Sequence, residues 1–206
     1  TGVGITLVIV VMYTSIGGFV SVVRTDVLQG ILMLLGSVMI FYFVTRAAGG
    51  VGVITELRSL PDKAFLFELN GGIPFAVLLG VSLSGALKLL ADPRQLSRFY
   101  ALKDDDAVRR GKWIATIGLA IVLACLFPVG IYAHAILTEV TDTDLIVPSL
   151  VNDPAVFPIW ATDFLIVSIL AAAMSSMDSV LLVAASTLYK NLVAPFRQRS
   201  RELLWT

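Results

Sequence analysis

In the segment Ala171-Ala172-Ala173-Met174-Ser175-Ser176-Met177-Asp178-Ser179, three hydroxyls and a carboxylate interrupt sequence that otherwise reads as a membrane helix. Water cannot satisfy polar groups at that depth, and groups so costly to bury mark binding sites. At helical spacing Ala172, Ser175, Ser176 and Ser179 stand at i, i+3, i+4 and i+7 and share one face. Its hydroxyl oxygens suit a hard cation such as sodium. The same residues also have a purely structural reading. Small side chains let two helices pack closely, and their hydroxyls bond back to the i−4 carbonyls. Asp178 stands about 60° around the helix from Ser175 and about 120° from Ala172, so it borders this face. A carboxylate there must be protonated or paired, and a structural hydrogen bond is its first expected role.

The other polar residues carry readings of the same two kinds. Asp26, beside Thr25, precedes the uncharged run Val27 to Thr45 and reads as a helix N-cap facing water. Ser82, Ser84 and Lys88 interrupt another apolar stretch and are candidates for the side that meets a solute. Lys88 lies one helical turn from Asp92, close enough for the two to neutralise each other, and its stem can also snorkel to the interface. His134 stands without a second His or Cys nearby and reads as an interfacial polar residue. Trp113 and Trp160 read as interfacial anchors, and Asp163 as a vestibule-facing group with a possible part in cation entry. No phosphate-binding loop, paired catalytic carboxylates, nucleophile with a base or metal cluster occurs, so an enzyme is not expected.

The elements that must position these residues are membrane helices. Of 206 residues, 57% are apolar and only 15% charged, against about 25% charged in soluble domains; mean hydropathy is +0.90. The formal net charge is zero, which gives no reason to expect nucleic-acid binding. The single Cys125 excludes an intramolecular disulfide. Five stretches, near residues 3–22, 27–45, 72–91, 113–137 and 157–189, approach or exceed the roughly 20 residues needed to cross a hydrocarbon core. The first is broken by Tyr13-Thr14-Ser15 and Gly17-Gly18, and the last is long enough to need tilt, a bend or an emergent end.

Lys and Arg set orientation. The loop 92–112 carries Arg94, Arg98, Lys103, Arg109, Arg110 and Lys112, and the tail carries Lys190, Arg197, Arg199 and Arg201, so both are expected on the cytoplasmic side of the plasma membrane. The loop 138–156, with Glu139, Asp142, Asp144 and Asp153 and no basic residue, is then outside. A turn at Arg24 faces inside and the charge-balanced loop 46–71 faces outside. In that outer loop Pro61-Asp62 and Asn70-Gly71-Gly72 make turns, and Glu56 and Arg58 fit a short surface helix. Asp104-Asp105-Asp106 opens the helix carrying Arg109 and Arg110. The chain starts directly in apolar sequence and reads as part of a longer protein.

Three anchors together resemble the sodium/solute symporters, the family of proline, pantothenate, sugar, iodide and choline carriers. They are Gly17-Gly18-Phe19 followed by Thr25-Asp26-Val27-Leu28-Gln29, then Pro93 through Arg98-Phe99 with its basic sequence, then Ala172-Ala173-Met174-Ser175-Ser176 to Leu188-Tyr189-Lys190. The resemblance covers nearly the whole chain. It implies an all-α integral membrane fold, with residues 1–206 a partial transporter domain of about five transmembrane helices from a LeuT-type inverted-repeat fold. The broken first core helix would lie outside it.

By position, the resemblance assigns sodium to the Ala172 carbonyl and the Ser175 and Ser176 hydroxyls, with the carbonyl freed by locally irregular helix or acting as a bifurcated acceptor. It makes Asp26 a coupling or cation-release residue and places Asp178 and Ser179 beside that pathway. The implied activity is sodium-coupled symport of a small polar organic solute, such as proline or an organic acid, by alternating access, with sodium, the solute and the lipid bilayer as partners. Pro93, Leu96, Arg98 and Phe99 are nearer to the proline than to the sugar carriers, whereas Ala91, Asp92 and Arg94 depart from the proline carriers' Gly, Gln and His. Two alternatives stay open: a symporter-like sensory domain of a histidine kinase, and a proton-coupled carrier using Asp26 or Asp178.

Overall fold

A computed structural model describes residues 2–68, 73–137 and 142–195. The Asn70-Gly71-Gly72 turn, Glu139 and the tail residues Arg197, Arg199 and Arg201 lie outside the described residues. Seven α-helices, α1 Gly2–Ala47, α2 Gly52–Ser59, α3 Phe75–Ala91, α4 Pro93–Tyr100, α5 Asp105–Ile136, α6 Ile146–Asn152 and α7 Ile159–Leu188, make up most of this structure. No strand occurs among the described residues. A π turn, Tyr189–Val193, continues α7.

Apolar segments in hydrocarbon must satisfy their backbone groups internally, and helices do so. Three helical stretches are long and apolar enough to cross a membrane: Gly4–Ala47, Asp105–Ile136 and Ile159–Val193. The bent pair α3 and α4, at 47°, brings the number to four if the pair is counted as one span. The difference from the five expected spans arises in α3, whose 17 residues count as a span only together with α4, and in α1, which takes in the first two. The turn expected at Arg24 is absent, because the backbone stays helical there and departs from helical geometry only at Gly18, with φ 57° and ψ −153°. Arg24-Thr25-Asp26 contains no helix breaker, and the Thr25 hydroxyl donates to the carbonyls of Ser21 at 3.1 Å and Val22 at 2.9 Å. Glycine alone occupies the Gly18 conformation without penalty, so the break falls there. At 46 residues, α1 has about 69 Å of helix if straight, enough for two crossings of a core about 30 Å thick.

The basic stretch 92–112 is also more helical than expected. Asp92 caps α4, with Pro93 in the first turn, the placement that suits a residue lacking an N–H. The Asp104 side chain accepts from the Ala107 backbone N–H at 2.7 Å and opens α5, whose first turn carries Asp105 and Asp106. The surface helix expected around Glu56 and Arg58 is α2.

The chain divides into two compact units, residues 1–30 with 170–206 and residues 31–169. In the 31–169 unit, Ile40, Val44, Val129, Tyr132, Ala133, Leu150, Phe157, Ala161 and Leu165 form the core. Phe43 packs on Phe157 at 5.4 Å and on Trp160 at 5.8 Å between ring centroids, so the exposed Trp160 touches the edge of that core. Gly36 allows a close approach of α1 and α7 in this unit: a Cβ there would meet Ser168 Cβ and Oγ at 2.9 Å. Ser168 donates to the carbonyls of Leu32 at 3.1 Å and Phe164 at 3.0 Å, as expected where small residues join membrane helices. Lys63 Nζ donates to the His134 carbonyl at 3.0 Å, satisfying one of the last carbonyls of α5.

In the other unit Val10, Val22 and Ala171 are buried together with two polar side chains, Gln29 and Asp178. That unit holds the acidic and hydroxyl residues singled out above.

Candidate cation site

Two carboxylates, each held by hydroxyls of the opposite helix, organise the 1–30/170–206 unit. Ser175 Oγ on α7 donates to Asp26 Oδ1 on α1 at 2.7 Å. The N-cap expected for Asp26 therefore does not form: its helix neither starts there nor leaves it facing open water, and the carboxylate is half-buried against α7. Asp178 is fully buried, at 0% exposure. It accepts from the Tyr13 hydroxyl and, at 3.2 Å, from Thr14 Oγ1. This is the structural hydrogen-bond role that the depth of the residue demands.

Ser179 Oγ donates to the Ser175 carbonyl at 3.0 Å, so one serine of the polar face bonds back onto its own helix. Ala172 is half-buried and Ser176 exposed. The backbone through Ala172 is regular α-helix, so the expected local irregularity is absent and its carbonyl stays in the helical ladder. What the unit presents is a carboxylate oxygen of Asp26 next to the Ser175 hydroxyl, with the Ser176 hydroxyl one residue on. These are hard oxygen donors, one of them anionic, a set that suits an alkali cation and excludes a soft metal. A hydroxyl can turn its proton aside and offer a lone pair, so a cation placed here would compete with the Ser175–Asp26 bond for the same oxygens.

Tyr13, Thr14 and Gln29 belong to this cluster and were not singled out from the sequence. The Tyr13 hydroxyl, besides donating to Asp178, is approached by the side chains of Gln29 and Thr25. Gln29 is 7% exposed, and its Oε1 has no hydrogen-bond partner. Tyr13-Thr14-Ser15 was visible only as a polar interruption of an apolar run. Nothing in the local spacing around Asp26 or in the pair Tyr13-Thr14 signals partners 149 to 165 residues away.

The solute-side candidates Ser82, Ser84 and Lys88 lie on α3, which has no buried residue, and all three are exposed. The Lys88–Asp92 neutralisation gives way to a closer cation. Arg94 Nε donates to Asp92 Oδ1 at 2.9 Å and to Oδ2 at 3.0 Å, and the Arg94 backbone N–H donates to Oδ1 at 3.0 Å. The planar guanidinium reaches both oxygens while the cap is made, which a point-charge ammonium on the preceding helix cannot match. Trp113 and Asp163 are exposed.

Comparison with known proteins bears on this arrangement. The sodium/pantothenate symporter of Haemophilus influenzae is 29% identical over 183 residues, covering 88% of this chain and 37% of that protein. The osmoregulated proline transporter OpuE of Bacillus subtilis is 30% identical over 203 residues, 96% of this chain and 40% of the transporter. The high-affinity proline transporter PutP of the same organism is 31% identical over 214 residues, 97% of this chain and 42% of the transporter. The chain thus spans about two fifths of the length of these relatives. No solved structure matches it. The model of the sodium:solute symporter family matches residues 1–205, a range that includes both the Tyr13 segment and the α7 serines, and the chain belongs to that family.

Proposed function

We propose that this chain is the part of a sodium-coupled carrier that holds a cation between α1 and α7, and that the whole protein is a multi-pass plasma-membrane symporter of a small polar organic solute. The observation that carries the reading is the Ser175–Asp26 hydrogen bond. It joins an anionic oxygen to the hydroxyl face that the sequence offers for sodium. The ion is coordinated by the Ser175 and Ser176 hydroxyls, with Asp26 supplying charge, and the Ala172 carbonyl contributes through its second lone pair or after local unwinding of α7. Asp178 and Ser179 border this pathway.

In this reading, sodium entering from outside draws Ser175 from Asp26 and stabilises the arrangement that also binds solute. Each ligand raises the affinity for the other by the same factor. Alternation of access within an inverted-repeat, LeuT-type fold then carries both inward, with the 92–112 segment and the tail cytoplasmic. The energy is that of the sodium gradient plus about 2.3 kcal/mol per charge per 100 mV. Proline, pantothenate-like organic acids and related polar solutes are the candidate cargo, by likeness to the named relatives; Ser82, Ser84 and Lys88 are the solute-side candidates.

The test is uptake into vesicles by the full-length protein, driven by a sodium gradient, with choline replacing sodium as control and with Ser175→Ala/Ser176→Ala alongside. Sodium-dependent uptake, with a higher sodium requirement in the folded variant, supports the proposal. Uptake unchanged by choline replacement, or an unchanged variant, removes the cation from this face.

A further inference from the structure

Within the 1–30/170–206 unit, α1 meets α7 twice, once on each side of its only non-helical residue. Before Gly18, Tyr13 and Thr14 hold Asp178; after Gly18, Asp26 holds Ser175. The two α7 partners are three residues apart, less than one turn, so they form a single short rung on a rigid helix. The two α1 groups stand on segments whose mutual angle is set by the backbone at one glycine. Both contacts can therefore be made together only over a narrow range of conformations at Gly18. The Tyr13 hydroxyl also lies against Thr25 and Gln29 from beyond the break, which places it between the two contacts.

We infer that Tyr13 is a positioning residue for the cation face: by holding Asp178 to the segment before Gly18, it fixes the rotation of α7 that turns Ser175 toward Asp26. This rests on the cation reading proposed above. Asp178 itself has no place in the coordination; it is the peg by which α7 is indexed. Its full burial serves that role, because a hydrogen bond excluded from water holds a helix more firmly than an exposed one. Releasing Asp178 lets α7 rotate, and Ser175 then spends less of its time in the orientation that the ion requires. An ion that binds only the aligned state sees its apparent affinity fall by the fraction aligned.

The experiment measures half-saturating sodium and half-saturating solute, the latter at saturating sodium, in the full-length carrier. Tyr13→Phe removes the hydroxyl and keeps the ring; Asp178→Asn removes the acceptor charge and keeps the shape. Each is expected to raise half-saturating sodium about ten-fold, the low end for a hydrogen bond to a charged group, with solute half-saturation unmoved. The double variant is expected to fall well short of the sum of the two, because both act on the same contact. A Tyr13→Phe protein that loses thermal stability without any change in half-saturating sodium overturns the inference. So does an additive double variant. If Ser175→Ala/Ser176→Ala shifts the sodium requirement and Tyr13→Phe does not, the positioning role fails while the cation reading stands. If neither shifts it, the cation reading fails and takes this inference with it. Should Tyr13→Phe fail to reach the membrane, Asp178→Asn and Thr14→Val supply the same comparison.

Discussion

Ser175 Oγ and Asp26 Oδ1 are 2.7 Å apart, although 149 residues separate them in the chain. A hydroxyl donating to a carboxylate is a charge-assisted bond, stronger than a neutral pair. It is also reversible by any cation that can offer the carboxylate a better partner.

The first prediction follows from that competition. Asp26→Asn keeps a hydrogen-bond acceptor for Ser175 and removes the negative charge. Half-saturating sodium is expected to rise by about ten-fold or more, since hydrogen bonds to charged groups contribute about 1.5–3 kcal/mol. Ser175→Ala is expected to shift it in the same direction, and the double variant to fall short of the sum, because the pair acts as one unit. Additive effects in sodium-titrated uptake would separate the two residues.

Gly18 is the second target. Its φ of 57° with ψ of −153° is nearly closed to residues with a Cβ, so Gly18→Ala is expected to cost about 1–3 kcal/mol. Thermal unfolding in detergent should show a lowered midpoint, together with a raised sodium requirement. A variant with wild-type stability and transport would mean that the break can be made elsewhere in α1.

In the 31–169 unit the contact of Gly36 with Ser168 gives a packing prediction. A methyl group on Gly36 is placed 2.9 Å from Ser168 Cβ and Oγ, and overpacking of that kind costs about 1–3 kcal/mol. Gly36→Ala should lower the unfolding midpoint, and Ser168→Gly in the same chain should recover part of the loss. Failure of that rescue would place the strain somewhere other than this contact.

Asp104 is expected to matter for the helix and not for the ion. It caps α5 through the Ala107 N–H, and Asp104→Ala should cost about 1 kcal/mol of stability. Sodium-titrated uptake per folded carrier should be unchanged. A shift in half-saturating sodium would connect this cap to transport.

Composition and local chemistry alone were enough to establish that the chain is helical and membrane-embedded, because apolar runs of this length must satisfy their own backbone in lipid. The starts of α4 and α5 were equally local, since Asp-Pro and Asp-Asp-Asp act on N–H groups within three residues of themselves. The Ser175–Ser176 face was visible because helical periodicity is a property of neighbours. Asp26 entered through its likeness to an acidic position in related carriers. What only the tertiary structure decided was pairing. Nothing local to Asp26 says that it meets Ser175 instead of water, and nothing local to Tyr13 says that it holds Asp178. By contrast the choice of Arg94 over Lys88 at Asp92 is local, because Arg94 stands two residues on in the capping turn and reaches both carboxylate oxygens. The break in α1 shows the same division. Polar residues at 13–15, glycines at 17–18 and a charge at Arg24 all offered an interruption, but the break falls at Gly18, at backbone angles that glycine alone takes without penalty. Partners more than a hundred residues apart leave no trace in local spacing, because they are chosen by packing, which acts after the local elements have formed.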